Sequence, residues 1–139
     1  MAEGVTLTIL VVDDDPDVCW ALKRVLCEEG FTVETVGSGH EAFMRLQDTQ
    51  FQLILLDAKL SDIDGIGLAH RIRAESACRA PLILVSGYFY DDDIPVQECL
   101  RSGLFCAFVA KPFRHEDLRH VIRQTLGTEL SSTPQAFPQ

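Results

Sequence analysis

Along the chain, short and almost wholly apolar runs alternate with longer stretches in which apolar residues recur every three or four positions. The short runs are 7–12 (Leu-Thr-Ile-Leu-Val-Val), 53–56 (Leu-Ile-Leu-Leu), 82–85 (Leu-Ile-Leu-Val) and 107–110 (Ala-Phe-Val-Ala). Runs of this length, rich in branched side chains and bounded by turn residues, predict strands buried on both faces. Residues 31–36 instead alternate apolar positions with Thr and Glu, which predicts a strand nearer the edge of a sheet.

The longer stretches predict helices. Pro16 suits a first helical position behind an acidic cap, Val18, Ala21, Leu22, Val25 and Leu26 share one face, and Gly30 suits the C-terminal cap. Ser38 and Glu41 form a capping box for a second helix whose inner face carries Ala42, Phe43 and Leu46. A third helix is expected over 66–75, burying Leu68, Ala69 and Ile72, with Gly65 allowing a tight turn before it. A short helix follows over 95–102, stopped by Gly103, and a last one over 115–126, with Leu118, Val121, Ile122 and Leu126 inside. From Gly127 onward the Ser, Thr and Pro content predicts a loose tail.

Five strands alternating with five helices predict an α/β domain with a parallel five-stranded sheet covered on both faces, a (βα)5 three-layer sandwich. Right-handed crossovers make the flavodoxin-like strand order 2-1-3-4-5 the usual solution at this size. The expected boundaries are an N-terminal extension at 1–6, the domain at 7–126, and a tail or linker start at 127–139. Parallel strands point one way, so the residues just past strands one, three, four and five share one rim. Those residues are Asp13 and Asp14, Asp57, Ser86 and Lys111.

Composition narrows the class. A length of 139 residues suits one domain, and 47% hydrophobic with 24% charged residues excludes disordered and fibrous chains. No apolar run approaches the roughly 20 residues of a membrane span, and the start lacks the basic and apolar regions of a signal peptide. A cytoplasmic location without a membrane partner is therefore expected. Cys19, Cys27, Cys78, Cys99 and Cys106 form no C-x-x-C pair and no zinc-like spacing with histidine, so reduced, buried or half-buried thiols are expected. A formal charge of −9 argues against direct nucleic-acid binding, which needs clustered Lys and Arg. It suits a domain that collects cations.

Taken singly, Asp57 also reads as a turn-initiating Asp, Asp13 to Asp15 as a helix cap and Lys111 as a solvated lysine. Together they have a sharper meaning. Carboxylates held close repel one another, and a hard divalent cation with oxygen ligands relieves the repulsion, with Mg²⁺ the natural candidate. Lys111 adds a positive charge and Ser86 a hydroxyl, a combination suited to a phosphoryl group.

Val12-Asp13-Asp14-Asp15-Pro16, the strand-terminal Asp57, Asp62-x-Asp64-Gly65, Ser86-Gly87 and Lys111-Pro112-Phe113 resemble the receiver (CheY-like) domain of two-component response regulators, over about residues 7–126. The resemblance implies that Asp57 accepts a phosphoryl group from a sensor histidine kinase, a phosphotransfer protein or a small phosphodonor, with Mg²⁺ as cofactor. It further implies that Asp14, Asp57 and the Lys59 backbone carbonyl ligate the ion directly, Asp13 acting through water. Lys111 and Ser86 would each meet a phosphoryl oxygen, and Phe108, three residues before Lys111, matches the switch aromatic. The domain would be a signalling switch that assists its own phosphorylation and dephosphorylation rather than an enzyme. Its state would be read through the 88–126 face by a downstream effector or a C-terminal output domain, with a homodimer through the last helix face as a further expectation.

Some positions depart from the pattern. Ser61 stands where the family commonly has proline, which predicts a less rigid loop after Asp57. Lys59, two past the acceptor, and Tyr88, two past Ser86, lie where, by the resemblance, the family tunes water access to the phosphoryl group. The span from Ser86 to Lys111 is a few residues longer than usual, around Tyr88-Phe89-Tyr90 and Leu104-Phe105-Cys106. The aromatic triplet reads either as a partner-binding patch or as a small satellite core. The alternative function is a small Mg²⁺-dependent phosphohydrolase with an aspartyl nucleophile, disfavoured because Asp57-Ala58-Lys59 lacks a second acid two residues on. Flavin binding is disfavoured because the first strand ends in acids rather than phosphate donors.

Overall fold

The computed structural model describes residues 7–87 and 94–130. The elements are β1 (Thr8–Val12), α1 (Pro16–Glu28), β2 (Thr32–Val36), α2 (Gly39–Asp48), β3 (Leu53–Asp57), α3 (Gly65–Glu75), β4 (Leu82–Ser86), α4 (Ile94–Ser102), β5 (Ala107–Ala110) and α5 (His115–Leu130). All strand pairs are parallel and the order is β2-β1-β3-β4-β5, as the alternation of periods predicts. None of the helices is long and apolar enough to cross a membrane among the described residues.

Successive strand residues point to opposite faces, and the apolar runs divide accordingly. Leu10, Val12, Ile54, Leu56, Leu82 and Leu84 join the core under α2, α3 and α4, while Ile9, Val11, Leu53, Leu55, Ile83 and Val85 join the one under α1 and α5. Each buried side chain of this size contributes about 1.5–3 kcal/mol. The central strands thus hold the sheet together without help from their tips, which leaves the tip residues open to chemistry.

Local chemistry sets the helix ends. Asp15 caps α1 by accepting from Asp17 N at 3.0 Å, ahead of Pro16. Gly30, at φ +98°, ends it, with Phe31 N donating to Leu26 O at 3.2 Å. Ser38 accepts from Glu41 N at 3.1 Å, while the Glu41 carboxylate reaches Gly37 N at 2.9 Å, one residue before the partner a capping box would use.

Three expectations need correction. Gly65 does not make a turn: it is the first residue of α3, behind the Asp64 cap, and it is glycine because a Cβ there would overlap the Asp57 carbonyl oxygen. The last helix does not stop at Leu126 but runs to Leu130, because a single glycine in a helix costs only about 1 kcal/mol relative to alanine and does not block the backbone bonds. Cys27 and Cys106 are exposed rather than packed, since Cys27 lies off the buried face of α1 and Cys106 sits in the connection ahead of β5. The extra length before β5 is partly core: Phe105 is 1% exposed and its N donates to Cys99 O at 3.3 Å. Tyr88-Phe89-Tyr90 lies outside the described residues.

Candidate functional site

The register fixes which tips meet. Val12 pairs with Leu56 across β1 and β3, Asp57 with Val85 across β3 and β4, and Ser86 with Ala110 across β4 and β5. Asp13 continues past β1, its N donating to Val36 O at 3.1 Å, and Lys111 continues past β5, its N donating to Ser86 O at 3.0 Å. Residues far apart in sequence therefore arrive on one rim, as expected.

Lys111 Nζ donates to Asp13 Oδ2 at 2.9 Å and to Asp57 Oδ1 at 3.3 Å. Asp13 and Asp57 are 3% and 4% exposed, whereas Asp14 is open to solvent. Asp13 Oδ1 accepts from Asp15 N at 2.9 Å. The triplet thus divides its labour: Asp15 caps the helix, while Asp13 and Asp14 face the pocket.

Burial pushes the Asp57 carboxyl above its usual range, the Asp13 charge adds to the rise and Asp14 adds further, against the pull of Lys111. Burial works against the Lys111 charge, but its bonds to Asp13 and Asp57 and their charges outweigh that effect and leave it raised. Cys19 borders the same pocket, its Sγ donating to Asp13 O at 3.2 Å. Burial, followed by the charges of Asp13 and Asp15, pushes its thiol up to about 11, so it is a neutral packed group.

Carboxylate oxygens of Asp13, Asp14 and Asp57 all lie within 4.8 Å of one another. An all-oxygen donor set, two buried and one at the mouth, fits a hard cation that keeps some of its water. Lys59 lies just beyond, in an antiparallel bridge with Asp64. Ser86 is fully buried at the β4 tip. Phe108 is half-buried on β5 against the core under α2, α3 and α4, outside the acidic cluster. Trp20, 64% exposed on α1, lines a groove with Asp13 and Asp14 and lies under the Arg24 guanidinium at 5.4 Å.

At the other end of the sheet a groove of about 590 Å³ is lined by Gln47, Thr49, Gln50 and Gln52, among others. It is as roomy as the acidic rim but has no cluster of buried carboxylates, so volume alone does not mark the chemistry here.

Sequence reasoning missed the division of Asp62-x-Asp64-Gly65. Asp64 caps α3, accepting from Gly67 N at 2.7 Å, while Asp62 crosses to α2 and accepts from Gly39 N at 3.0 Å and His40 N at 2.9 Å. The sole hint was Gly39 at a helix start. A contact spanning more than twenty residues leaves no local signal.

The model of the response regulator receiver domain matches residues 9–123. The DNA-binding response regulator MtrA of Mycolicibacterium smegmatis is 34% identical over 118 residues, which is 85% of this chain and 50% of that protein. The chain therefore spans about half the length of such curated relatives. Among solved structures, the response regulator protein TrrA of Thermotoga maritima, in complex with Mg²⁺ and BeF, is 30% identical with a TM-score of 0.74, covering 87% of this chain and 100% of that one. The receiver domain of a sensor histidine kinase of Pseudomonas aeruginosa, with magnesium coordinated in the active-site cleft, is 27% identical with a TM-score of 0.75, covering 88% and 99%. The likeness covers nearly the whole described domain, and the chain belongs to the receiver domain family of two-component response regulators, a signalling module rather than a classical enzyme.

Proposed function

We propose that Asp57 is the phosphoacceptor of a Mg²⁺-dependent switch, charged by a histidine of a sensor kinase or phosphotransfer protein, or by a small acyl phosphate. The observation that carries this reading is the Asp57 carboxylate, buried at the β3 tip where the Lys111 ammonium bridges it to Asp13. TrrA in complex with Mg²⁺ and BeF, and the kinase receiver with magnesium in its active-site cleft, support the same metal for the Asp13, Asp14 and Asp57 cluster.

A carboxylate is a weak nucleophile, and two anions must approach. One Asp57 oxygen forms a bond to phosphorus as the bond from phosphorus to the donor nitrogen or oxygen breaks, its electron pair leaving with the donor. Lys111 is held where it can meet a phosphoryl oxygen, and Ser86 supplies a hydroxyl to another. Asp14, Asp57 and the Lys59 carbonyl would hold Mg²⁺ directly. Asp13, whose two oxygens already accept from Asp15 N and Lys111, would do so through water. Held by these residues, Mg²⁺ would supply positive charge to offset that of the two anions and help to align them. In dephosphorylation a water oxygen bonds to phosphorus and gives up a proton to solvent, the bond from phosphorus to the Asp57 oxygen breaks with its electron pair returning to the carboxylate, and inorganic phosphate leaves.

The new dianion draws the Ser86 hydroxyl towards it, and Phe108 moves into the space released, so that the 88–126 face reports the charge. A downstream effector, an output domain joined to the receiver, or a second copy docking on the last helix reads that face. Incubation with acetyl phosphate and Mg²⁺ tests the reading by intact mass. The wild type should gain one phosphoryl group and Asp57→Asn none; continuous phosphate release from many substrates would instead favour the phosphohydrolase, and chemical-shift changes confined to the pocket would remove the switch.

A further inference from the structure

The connection from β3 to α3 carries the Lys59 carbonyl, yet Ser61 stands where a proline would stiffen it. Part of its order is internal: Gly65 N donates to Ala58 O at 2.7 Å, and Lys59 bridges Asp64. Asp62 ties it to another element. Its two carboxylate oxygens accept from the amides of Gly39 and His40, the first two residues of α2. A helix leaves these amides without intrahelical partners, at the positive end of its dipole. The bond from Gly39, then that from His40, holds the Asp62 carboxyl below its usual range. Next to it, Ile63 packs so closely on Gly39 that a Cβ there would overlap Ile63 Cγ2, and Ile63 is half-buried against the core. Two adjoining loop residues therefore clamp the start of α2.

We infer that Asp62 is a positioning residue for the phosphorylation site: by gripping the α2 amides it fixes the loop that presents the Lys59 carbonyl, and so sets Mg²⁺ affinity. This rests on the function proposed above. A ligand carbonyl on a loop that is free to wander must be ordered each time the ion binds, and that ordering weakens binding.

Three variants separate the clamp from general helix stability. Asp62→Ala removes both acceptors, Asp62→Asn keeps one oxygen, and Ser38→Ala removes the α2 cap that does not touch the loop. In metal-free protein, amide exchange over 59–63 should quicken in Asp62→Ala and less in Asp62→Asn, with Ser38→Ala unchanged. Mg²⁺ titration, followed by Trp20 fluorescence and calorimetry, should show Asp62→Ala binding about three- to tenfold more weakly, below the effect of removing a partner bonded directly to a ligand, with Asp62→Asn in between. At saturating Mg²⁺ all three should still take a phosphoryl group from acetyl phosphate. Wild-type affinity and loop exchange in both Asp62 variants would overturn the inference, as would equal weakening by Ser38→Ala. A wild type that neither binds Mg²⁺ nor takes the label would strike the proposed function itself.

Discussion

Asp57, at the tip of β3, is buried beside Asp13 and Lys111, and burial together with the Asp13 charge pushes its carboxyl up. Asp62, in the loop just beyond, is exposed, and the bonds from Gly39 and His40 pull its carboxyl down. The same functional group is therefore strained towards neutrality at one place and held as an anion at the other. Ionised, the buried one weighs against the metal-free fold, whereas the exposed one supports it. A carboxylate whose charge is disfavoured by its surroundings is the stronger pointer to chemistry at that atom, whereas one whose charge is favoured acts by holding structure in place.

The largest effect that would test this contrast is on the transfer step. Lys111→Met should slow labelling by acetyl phosphate by about 10²–10³-fold, the usual loss when a charge-stabilising donor is removed from a reaction centre. A loss below tenfold would place Lys111 with the structural cations.

Next comes the stability of the metal-free protein. The raised Asp57 carboxyl means that the folded state holds its proton more tightly than the unfolded chain does. Stability from this group is full below the ordinary value of 3.8 and falls as pH rises through the raised one. Asp57→Asn should therefore increase the urea midpoint at neutral pH, and the difference should shrink in acid. Adding Mg²⁺ at a hundred times its Kd should stabilise the wild type by about 2.7 kcal/mol and the variant far less. A variant less stable than the metal-free wild type would reverse the assignment.

Gly65→Ala sharpens the comparison between the two carboxylates by pushing directly on the Asp57 backbone. It should cost about 1–3 kcal/mol by overpacking, read from urea unfolding. Asp64→Ala, which removes only the α3 cap, should cost about 1 kcal/mol. For Asp62 the sign is opposite to Asp57: its stabilisation is present above 3.8 and is lost as pH falls through its lowered value.

Much of this was legible before any coordinates. The strands could be read because each is buried on both faces, and the rim followed because parallel strands end together. Asp13, Asp14, Asp57 and Lys111 did converge. Asp62 was read as part of a motif, but its partners lie on α2, and neither residue alone signals the other. The role of Gly65 was misjudged because a glycine needed for close approach looks in sequence like one needed for a turn. The switch role of Phe108 is what the family resemblance implies, and its half-buried seat on the core is a matter of packing.

Periodicity and end chemistry, then, determine the elements, their order and the rim on which the acids stand, because those depend on spacing along the chain. Which oxygens face Lys111, how far burial lifts Asp57, and which helix Asp62 grips were decided by the tertiary structure. Those properties are set by distance and dielectric between residues that sequence separation does not encode.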